Sequence, residues 1–429
     1  MLTRLDLRGA TGDLRSQLPR PEVGGAAPVA AVRAILEEVR TRGDAALLDL
    51  TERFDGVRPD PLRVPAGELK AALEAVPPRL REALEVAWAN IVDHHRHQRQ
   101  EDTRTEDRGL VLRELRRPVE RAGCYVPGGR AIYPSTVLMT AGPATVAGVD
   151  EVVLVCPPGP DGRLPVETLA AAAVAGVDEV YRVGGAQAVA ALAYGTESIP
   201  SVDVIVGPGN VYVAVAKREV AGEGRVGVPS AFAGPSEVVV VADATTDPRW
   251  AAIDLLVQAE HGPDGLAWLV TWEEEALVAV GDALDRLLVE QPRRADIEST
   301  LREGGHAVLC RDADQAMAVA NVIAPEHLEL LVADPEPLLP RVRHAGAIFT
   351  GMYGAASLGD YVAGPSHVLP TYGSARFSSA LRVDDFVKTV HVVTADGQAF
   401  ERLAPHVVAL AEAEGLHAHA ESVRLRGPR

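Results

Sequence analysis

The sequence predicts an α/β fold with two doubly wound parallel-sheet domains that are Rossmann-like but incomplete. Two series of short Val-rich runs alternate with Ala-rich helical stretches, which is the pattern of parallel strands joined by crossover helices. The series open alike, at Asp150-Glu-Val-Val-Leu-Val and Ser236-Glu-Val-Val-Val-Val, as an old duplication would leave them. With 47% hydrophobic residues in 429, the chain has enough apolar material for large cores.

Along the chain, the first hundred residues are predicted to be helical. Residues 29–41 carry apolar side chains at helical spacing, and Gly43 can end that helix. A second helix over 78–98 finishes with His94, His95 and His97. Three close histidines suggest a metal site, but the interpretation we favour is a solvated helix end, because no fixed ligand spacing accompanies them.

The two strand series follow this helical region. The first has predicted strands at 151–155, 179–183 and 202–206, and helices at 166–175, 186–194 and 211–220. The second has strands at 237–241, 266–271, 307–310, 329–332 and 347–350, and helices at 249–261, 274–288 and 315–322. The tail after Asp384 is predicted to be mostly helical and too detached to return as another strand. The predicted division begins with an N-terminal arm at 1–23 and a discontinuous α/β domain that combines 24–124 with 236–380. A second α/β domain occupies 125–235, and a C-terminal helical tail occupies 381–429.

The composition excludes several classes of protein. The formal net charge of −18 argues against binding to nucleic acid or to an anionic membrane surface. The N-terminus lacks the apolar core of a signal peptide, and the longest uncharged run, 131–149, is interrupted by prolines and glycines. The three cysteines are far apart and are predicted to be buried thiols in a reducing compartment. We therefore expect a cytoplasmic protein.

Three glycine-rich turns, at 125–130, 183–187 and 206–210, each follow a predicted strand and precede a helix. Backbone N–H groups at such turns can hold a phosphate. None matches the dinucleotide fingerprint, and each taken singly is better explained as a structural turn. At successive carboxyl ends of parallel strands, however, the three favour one shared ligand crevice.

Two pairs of polar side chains suggest a reaction site. Gln258 and His261 lie on one face of a predicted helix and offer metal ligands, although two ligands are too few for a site. Glu326 and His327 follow Pro325 in a predicted loop, where they suit acid–base work. A surface loop with no catalytic role remains an equal alternative for that pair.

Two further segments concentrate polar residues in unusual surroundings. The stretch 357–371 is long, barely charged and rich in glycine and proline, which is common in functional loops. The stretch 412–419 places two carboxylates and two histidines within eight residues of the tail. Together, these features predict an α/β enzyme with a mixed nitrogen and oxygen metal site, an acid–base pair and a nucleotide crevice.

Nine ordered motifs also resemble the histidinol dehydrogenase family over nearly the whole chain. They occupy residues 125–129, 184–196, 206–213, 233–238, 258–262, 325–328, 359–361, 367–371 and 414–419. The resemblance implies zinc-dependent oxidation of L-histidinol to L-histidine with two NAD⁺, in a homodimer whose tail completes the partner's active site. Segments 228–233 and 352–358 depart from the family's pattern without removing any of the residues that it implies.

The resemblance also assigns roles to individual residues. It implies one Zn²⁺ per subunit, held by Gln258, His261, Asp360 and His419. It implies Glu326 and His327 as the acid–base residues and Tyr125, Gln187 and Asn210 as NAD contacts. Substrate contacts are implied for Ser236, Gln258, His261, His327, Asp360, His367, Glu414 and His419.

Three other functions compete with this interpretation. A relative within the family would oxidise another small alcohol, such as sulfopropanediol, but Glu414 suits the ammonium of histidinol better than a sulfonate. A metal-dependent hydrolase would need only one base. A metabolite-binding protein without catalysis would not need Glu326 and His327 together.

Overall fold

Two parallel sheets and one antiparallel sheet form the framework of the protein. The computed structural model describes residues 1–19, 28–129, 131–229, 236–260, 262 and 265–427. The predicted α/β class with two parallel-sheet domains is confirmed. The antiparallel sheet was not predicted.

The strands are β1 (Thr3–Asp6), β2 (Thr103–Asp107), β3 (Leu110–Pro118), β4 (Arg121–Tyr125), β5 (Glu151–Cys156), β6 (Glu179–Arg182), β7 (Val204–Val206), β8 (Glu237–Ala242), β9 (Leu266–Thr271), β10 (Gly305–Leu309), β11 (His327–Leu331), β12 (Ala347–Thr350) and β13 (Val387–Ala395). The helices are α1 (Val29–Arg42), α2 (Asp44–Asp55), α3 (Ala66–Ala75), α4 (Pro78–Arg96), α5 (Pro134–Ala147), α6 (Val166–Ala175), α7 (Gly185–Tyr194), α8 (Val211–Gly222), α9 (Pro248–Ala259), α10 (Glu274–Val289), α11 (Arg294–Gly304), α12 (Ala313–Ile323), α13 (Ala356–Tyr361), α14 (Gly397–Ala413) and α15 (His417–Arg424).

The first parallel sheet has the order β6-β5-β4-β7. Its buried strands pack between two apolar clusters that also contain α1 to α4. These contacts place the helices before Arg121 on this sheet, while the division of the chain into domains stays a prediction. The reason is that α1 packs on α7 and α8, and α4 packs on α5, so the apolar faces of the early helices are covered by the first sheet's own helices.

The second parallel sheet has the order β1-β10-β9-β8-β11-β12. One of its two edge strands is β1, which pairs with β10 from Thr3↔His306 to Asp6↔Leu309. The N-terminal arm therefore begins as a strand, where the sequence had suggested a helix. Four exposed or half-buried residues at a sheet edge carry too little periodicity to reveal a partner some three hundred residues away.

The third sheet has the order β13-β3-β2 and is antiparallel. The prediction that the tail would not return as a strand was wrong, because β13 pairs with β3 along nine residues, from Val387↔Pro118 to Ala395↔Leu110. The rest of the tail is helical, as predicted, in α14 and α15. The antiparallel pairing anchors the start of the tail to the body of the chain.

The cysteines and the histidine cluster are structural. Cys124, Cys156 and Cys310 are buried free thiols, as predicted, and burial raises their pKa values to about 12. At the end of α4, the Nδ1 atoms of His95 and His97 hydrogen bond to backbone carbonyl groups four residues earlier. In the part of the chain that the structure describes, no helix is long and apolar enough to cross a membrane.

Candidate active site

Glu326 and His327 lie at the amino end of β11, next to the start of β8. The register pairs His327 with Val238, so this edge of the second sheet also carries Ser236 and Glu237. The residue before Pro325, Ala324, ends α12 in the left-handed conformation, with φ of 53°, and turns the chain into the strand. His327 is therefore the first strand residue instead of part of the predicted loop. The bend just before it is the irregular backbone that brings adjacent side chains into one site.

The two side chains are buried together. Each residue is only 6% exposed, and Oε2 of Glu326 lies 3.7 Å from Nδ1 of His327. Glu326 accepts a hydrogen bond of 3.1 Å from the backbone N–H of Glu237. The other ring nitrogen of His327, Nε2, lies 3.1 Å from Oδ1 of Asp360, and the ring of Phe349 stacks on the imidazole. The imidazole is thus held between two carboxylates and an aromatic ring.

Burial and neighbouring charge tune this pair. Burial raises the pKa of Glu326 to about 7, although the nearby imidazole lowers it in part. Burial lowers the pKa of His327, but the carboxylates of Glu326 and Asp360 outweigh it and raise that pKa to about 9. A carboxyl group that titrates near neutral pH beside an imidazole can exchange protons with a substrate and with water.

His367 joins this site to the first sheet. Its Nδ1 atom hydrogen bonds to the backbone carbonyl of Asp360 at 2.9 Å, and its Nε2 atom to the hydroxyl group of Thr136 at 3.1 Å. Thr136 lies in the first turn of α5, which follows the carboxyl end of β4. The carboxyl edge of the first sheet therefore meets the amino edge of the second sheet at this point.

The glycine turns occupy that carboxyl edge. The hydroxyl group of Tyr125 accepts a hydrogen bond of 3.0 Å from the backbone N–H of Gly185. Gln187, 1% exposed, has neither amide atom hydrogen-bonded within the described part of the chain. Asn210 caps α8 by accepting from the N–H groups of Tyr212 and Val213, which leaves its amide nitrogen available. A buried amide without partners suits a polar ligand that enters the crevice.

The predicted metal ligands are placed only in part. Gln258, in the last turn of α9, is buried, and its Nε2 atom has no partner among the described residues. Asp360 lies on α13 against His327, and His261 falls outside the described residues. His419 and Glu414 are exposed on the tail. The described hydrogen bonds and ion pairs of α15 are all formed with residues of the tail itself. Within the described ranges, no group of three or more His, Cys, Asp or Glu side chains is arranged to hold a metal.

Two buried carboxyl groups beside the site were not predicted. Glu329 is fully buried on β11 and points to the same face as His327, two residues earlier. Its carboxyl group interacts with that of Asp254, one helical turn before Gln258 on α9, and burial raises the pKa of both groups. The negative charge of Asp254 adds to the rise in the pKa of Glu329, because two neighbouring buried carboxylates repel each other. The sequence did contain two signals for these groups. Glu329 follows His327 by two residues on a strand, and Asp254 precedes Gln258 by four residues on a helix, so each pair lies on one face of its element.

Comparison with known proteins finds relatives over nearly the whole chain. The family model for histidinol dehydrogenase matches residues 18–427. The chain is 51% identical to the histidinol dehydrogenase of Parasynechococcus marenigrum, over 92% of this chain and 90% of the relative. It is 52% identical to that of Pseudomonas putida, over 91% and 89%. The crystal structure of histidinol dehydrogenase from Elizabethkingia anophelis superposes with a TM-score of 0.94 at 32% identity, over 99% of this chain and 98% of that one.

Proposed function

The chain belongs to the histidinol dehydrogenase family of NAD-dependent oxidoreductases, and we propose that it oxidises L-histidinol through L-histidinal to L-histidine with two NAD⁺ and one zinc ion per subunit. The observation that carries the proposal is the buried pair of Glu326 and His327 beside Asp360. A hydrolase would need one base for water, whereas two proton-transfer groups suit an alcohol step followed by a hydrated aldehyde step.

The donor groups present fit zinc. The amide of Gln258 is buried, and its Nε2 atom has no hydrogen-bond acceptor among the described residues. Rotation of the amide group by 180° would place its oxygen, which can bind a metal, at the same position. Together with the carboxylate of Asp360 and the imidazoles of His261 and His419, it gives the mixed nitrogen and oxygen set that divalent zinc accepts. When bound, the ion would supply a positive charge that anchors the substrate's amine and imidazole.

The proton transfers are assigned to Glu326 and His327. In the alcohol step His327 takes the hydroxyl proton, while the first NAD⁺ accepts the hydride from the alcohol carbon. In the aldehyde step Glu326 removes a proton from the water that adds to the carbonyl carbon, and His327 returns the proton it took in the alcohol step to the carbonyl oxygen. His327 then takes a hydroxyl proton of the hydrate, while the second NAD⁺ accepts the hydride. A cation at Asp360 would offset part of the negative charge that raises the pKa of His327, and so favour the neutral, basic imidazole.

The remaining proposed contacts, to NAD and to the substrate, lie where the carboxyl edge of the first sheet meets the amino edge of the second sheet. Tyr125, Gln187 and Asn210 are proposed to bind NAD, since they line the glycine turns of the first sheet and the buried amide of Gln187 has no partner among the described residues. Ser236 and His367 are proposed to contact the substrate from the second sheet and the loop above it. Glu414 is proposed to meet the substrate's ammonium group from the partner subunit's tail, in a homodimer with shared sites.

The experiment that tests the function is NADH production from L-histidinol, before and after exhaustive chelation and after addition of zinc. We expect chelation to abolish turnover and zinc to restore it, while circular dichroism shows a retained fold, because the large apolar cores need no metal. Full activity after complete removal of divalent metal would contradict the zinc assignment. Absence of NADH from the zinc-loaded enzyme would contradict the function itself.

A further inference from the structure

A buried lysine supports the glycine turn that presents Asn210. Lys217 lies on α8, seven residues after Asn210 and therefore on the same helical face. It is 1% exposed, and its ammonium group donates a hydrogen bond to the backbone carbonyl oxygen of Gly207. The side chain thus reaches back along the helix to the first residue of the turn.

The turn itself is pressed against another proposed NAD contact. Gly207 has a φ of 102°, and a Cβ atom there would lie 2.0 Å from the backbone oxygen of Tyr125. The side chain of Tyr125 in turn accepts the N–H of Gly185, in the second glycine turn. Tyr125 therefore links the three glycine-rich turns, with its backbone against Gly207 and its hydroxyl group bonded to Gly185.

The lysine is costly to the folded state. Burial lowers its pKa to about 7, and the Cys124 thiol is the titratable group that acts on its charge among the described residues. Burying an ammonium group without a carboxylate partner destabilises a protein, whereas a methionine of similar length would pack there without that cost. Packing alone therefore does not account for a lysine at this position.

We propose that Lys217 is a positioning residue for the dinucleotide: its hydrogen bond to Gly207 holds the 207–210 turn against Tyr125 and keeps Asn210 in place. This inference rests on the proposed function, because it matters only if NAD binds at these turns. Lys217 acts through the turn, and its proposed role requires no contact with the substrate or the reacting atoms.

The test compares Lys217→Met with Lys217→Gln in the zinc-loaded enzyme. We expect Lys217→Met to raise KM for NAD⁺ and the dissociation constant of NADH about tenfold, as expected for one charge-assisted hydrogen bond. KM for L-histidinol and kcat at saturating NAD⁺ should stay within about twofold of wild type, since the reacting groups are unchanged. Lys217→Gln retains a donor and should lose less affinity than Lys217→Met.

Val220→Ala is the matched control, because Val220 is buried on the same helix and in the apolar cluster of the first sheet. It should lower the melting temperature without changing KM for NAD⁺. An unchanged NADH affinity in both Lys217 variants, or an equal loss in Val220→Ala, would overturn the positioning role. A wild-type enzyme that does not reduce NAD⁺ with histidinol would instead overturn the proposed function.

Discussion

Replacement of Glu326 by glutamine should slow the oxidation of L-histidinal by ~10²–10⁴-fold, the usual contribution of one general base. The alcohol step should slow much less, because only the aldehyde step requires an activated water. Glutamine keeps the shape of the side chain and its contact with the Glu237 N–H but removes the proton acceptor beside His327. The expected wild-type pH dependence of the aldehyde step is a rise through about pH 7, as the raised pKa of Glu326 is passed and the basic form accumulates.

The measurement is NADH formation in a single turnover, started once from L-histidinol and once from L-histidinal. In Glu326→Gln, histidinol should give one rapid NADH per site, followed by a slow second one. Glu329→Gln is the control, since it also converts a buried carboxyl group on β11 into an amide. We expect it to affect both steps to the same extent. Equal losses on histidinol and histidinal in Glu326→Gln would contradict the division of labour.

The parallel sheets were largely visible in the sequence. The strand Leu266–Thr271 has its predicted bounds, and Glu151–Cys156 and Glu237–Ala242 differ by one residue each. Buried central strands are continuous apolar runs, so their own composition specifies them. The strands β1 and β13 were missed because both are largely exposed and pair with segments far away in the chain.

The site was predictable as a set of residue types but not as a geometry. The sequence identified Glu326 and His327 and placed both in a loop, whereas His327 begins β11. It did not show that α12 ends in a left-handed residue, Ala324, only three residues before the strand begins. Glu329 and Lys217 were overlooked, since a charged residue in an otherwise ordinary strand or helix usually faces solvent. Only the packing of neighbouring elements buries them.

The second prediction with a large expected effect concerns the C-terminal tail and its proposed role in the partner subunit's active site. In one subunit His419 is exposed, and the tail presents apolar side chains to solvent, among them Val393 on β13 at 68% and Leu425, just after α15, at 76% exposure. An exposed apolar surface of this kind is typical of an interface. The proposed homodimer would cover it and would join His419 to Gln258, His261 and Asp360 of the partner subunit.

Mixing two inactive variants, Asp360→Ala and His419→Ala, and refolding them together should restore about a quarter of wild-type activity. Random pairing of equal amounts makes about half of the dimers hybrid, and each hybrid has one site with both lesions and one intact site. Each variant refolded alone is the control and should stay inactive. If the tail served its own subunit, every site would carry one lesion, so a mixture that is shown by mass spectrometry to contain hybrids but has no activity would refute the shared site.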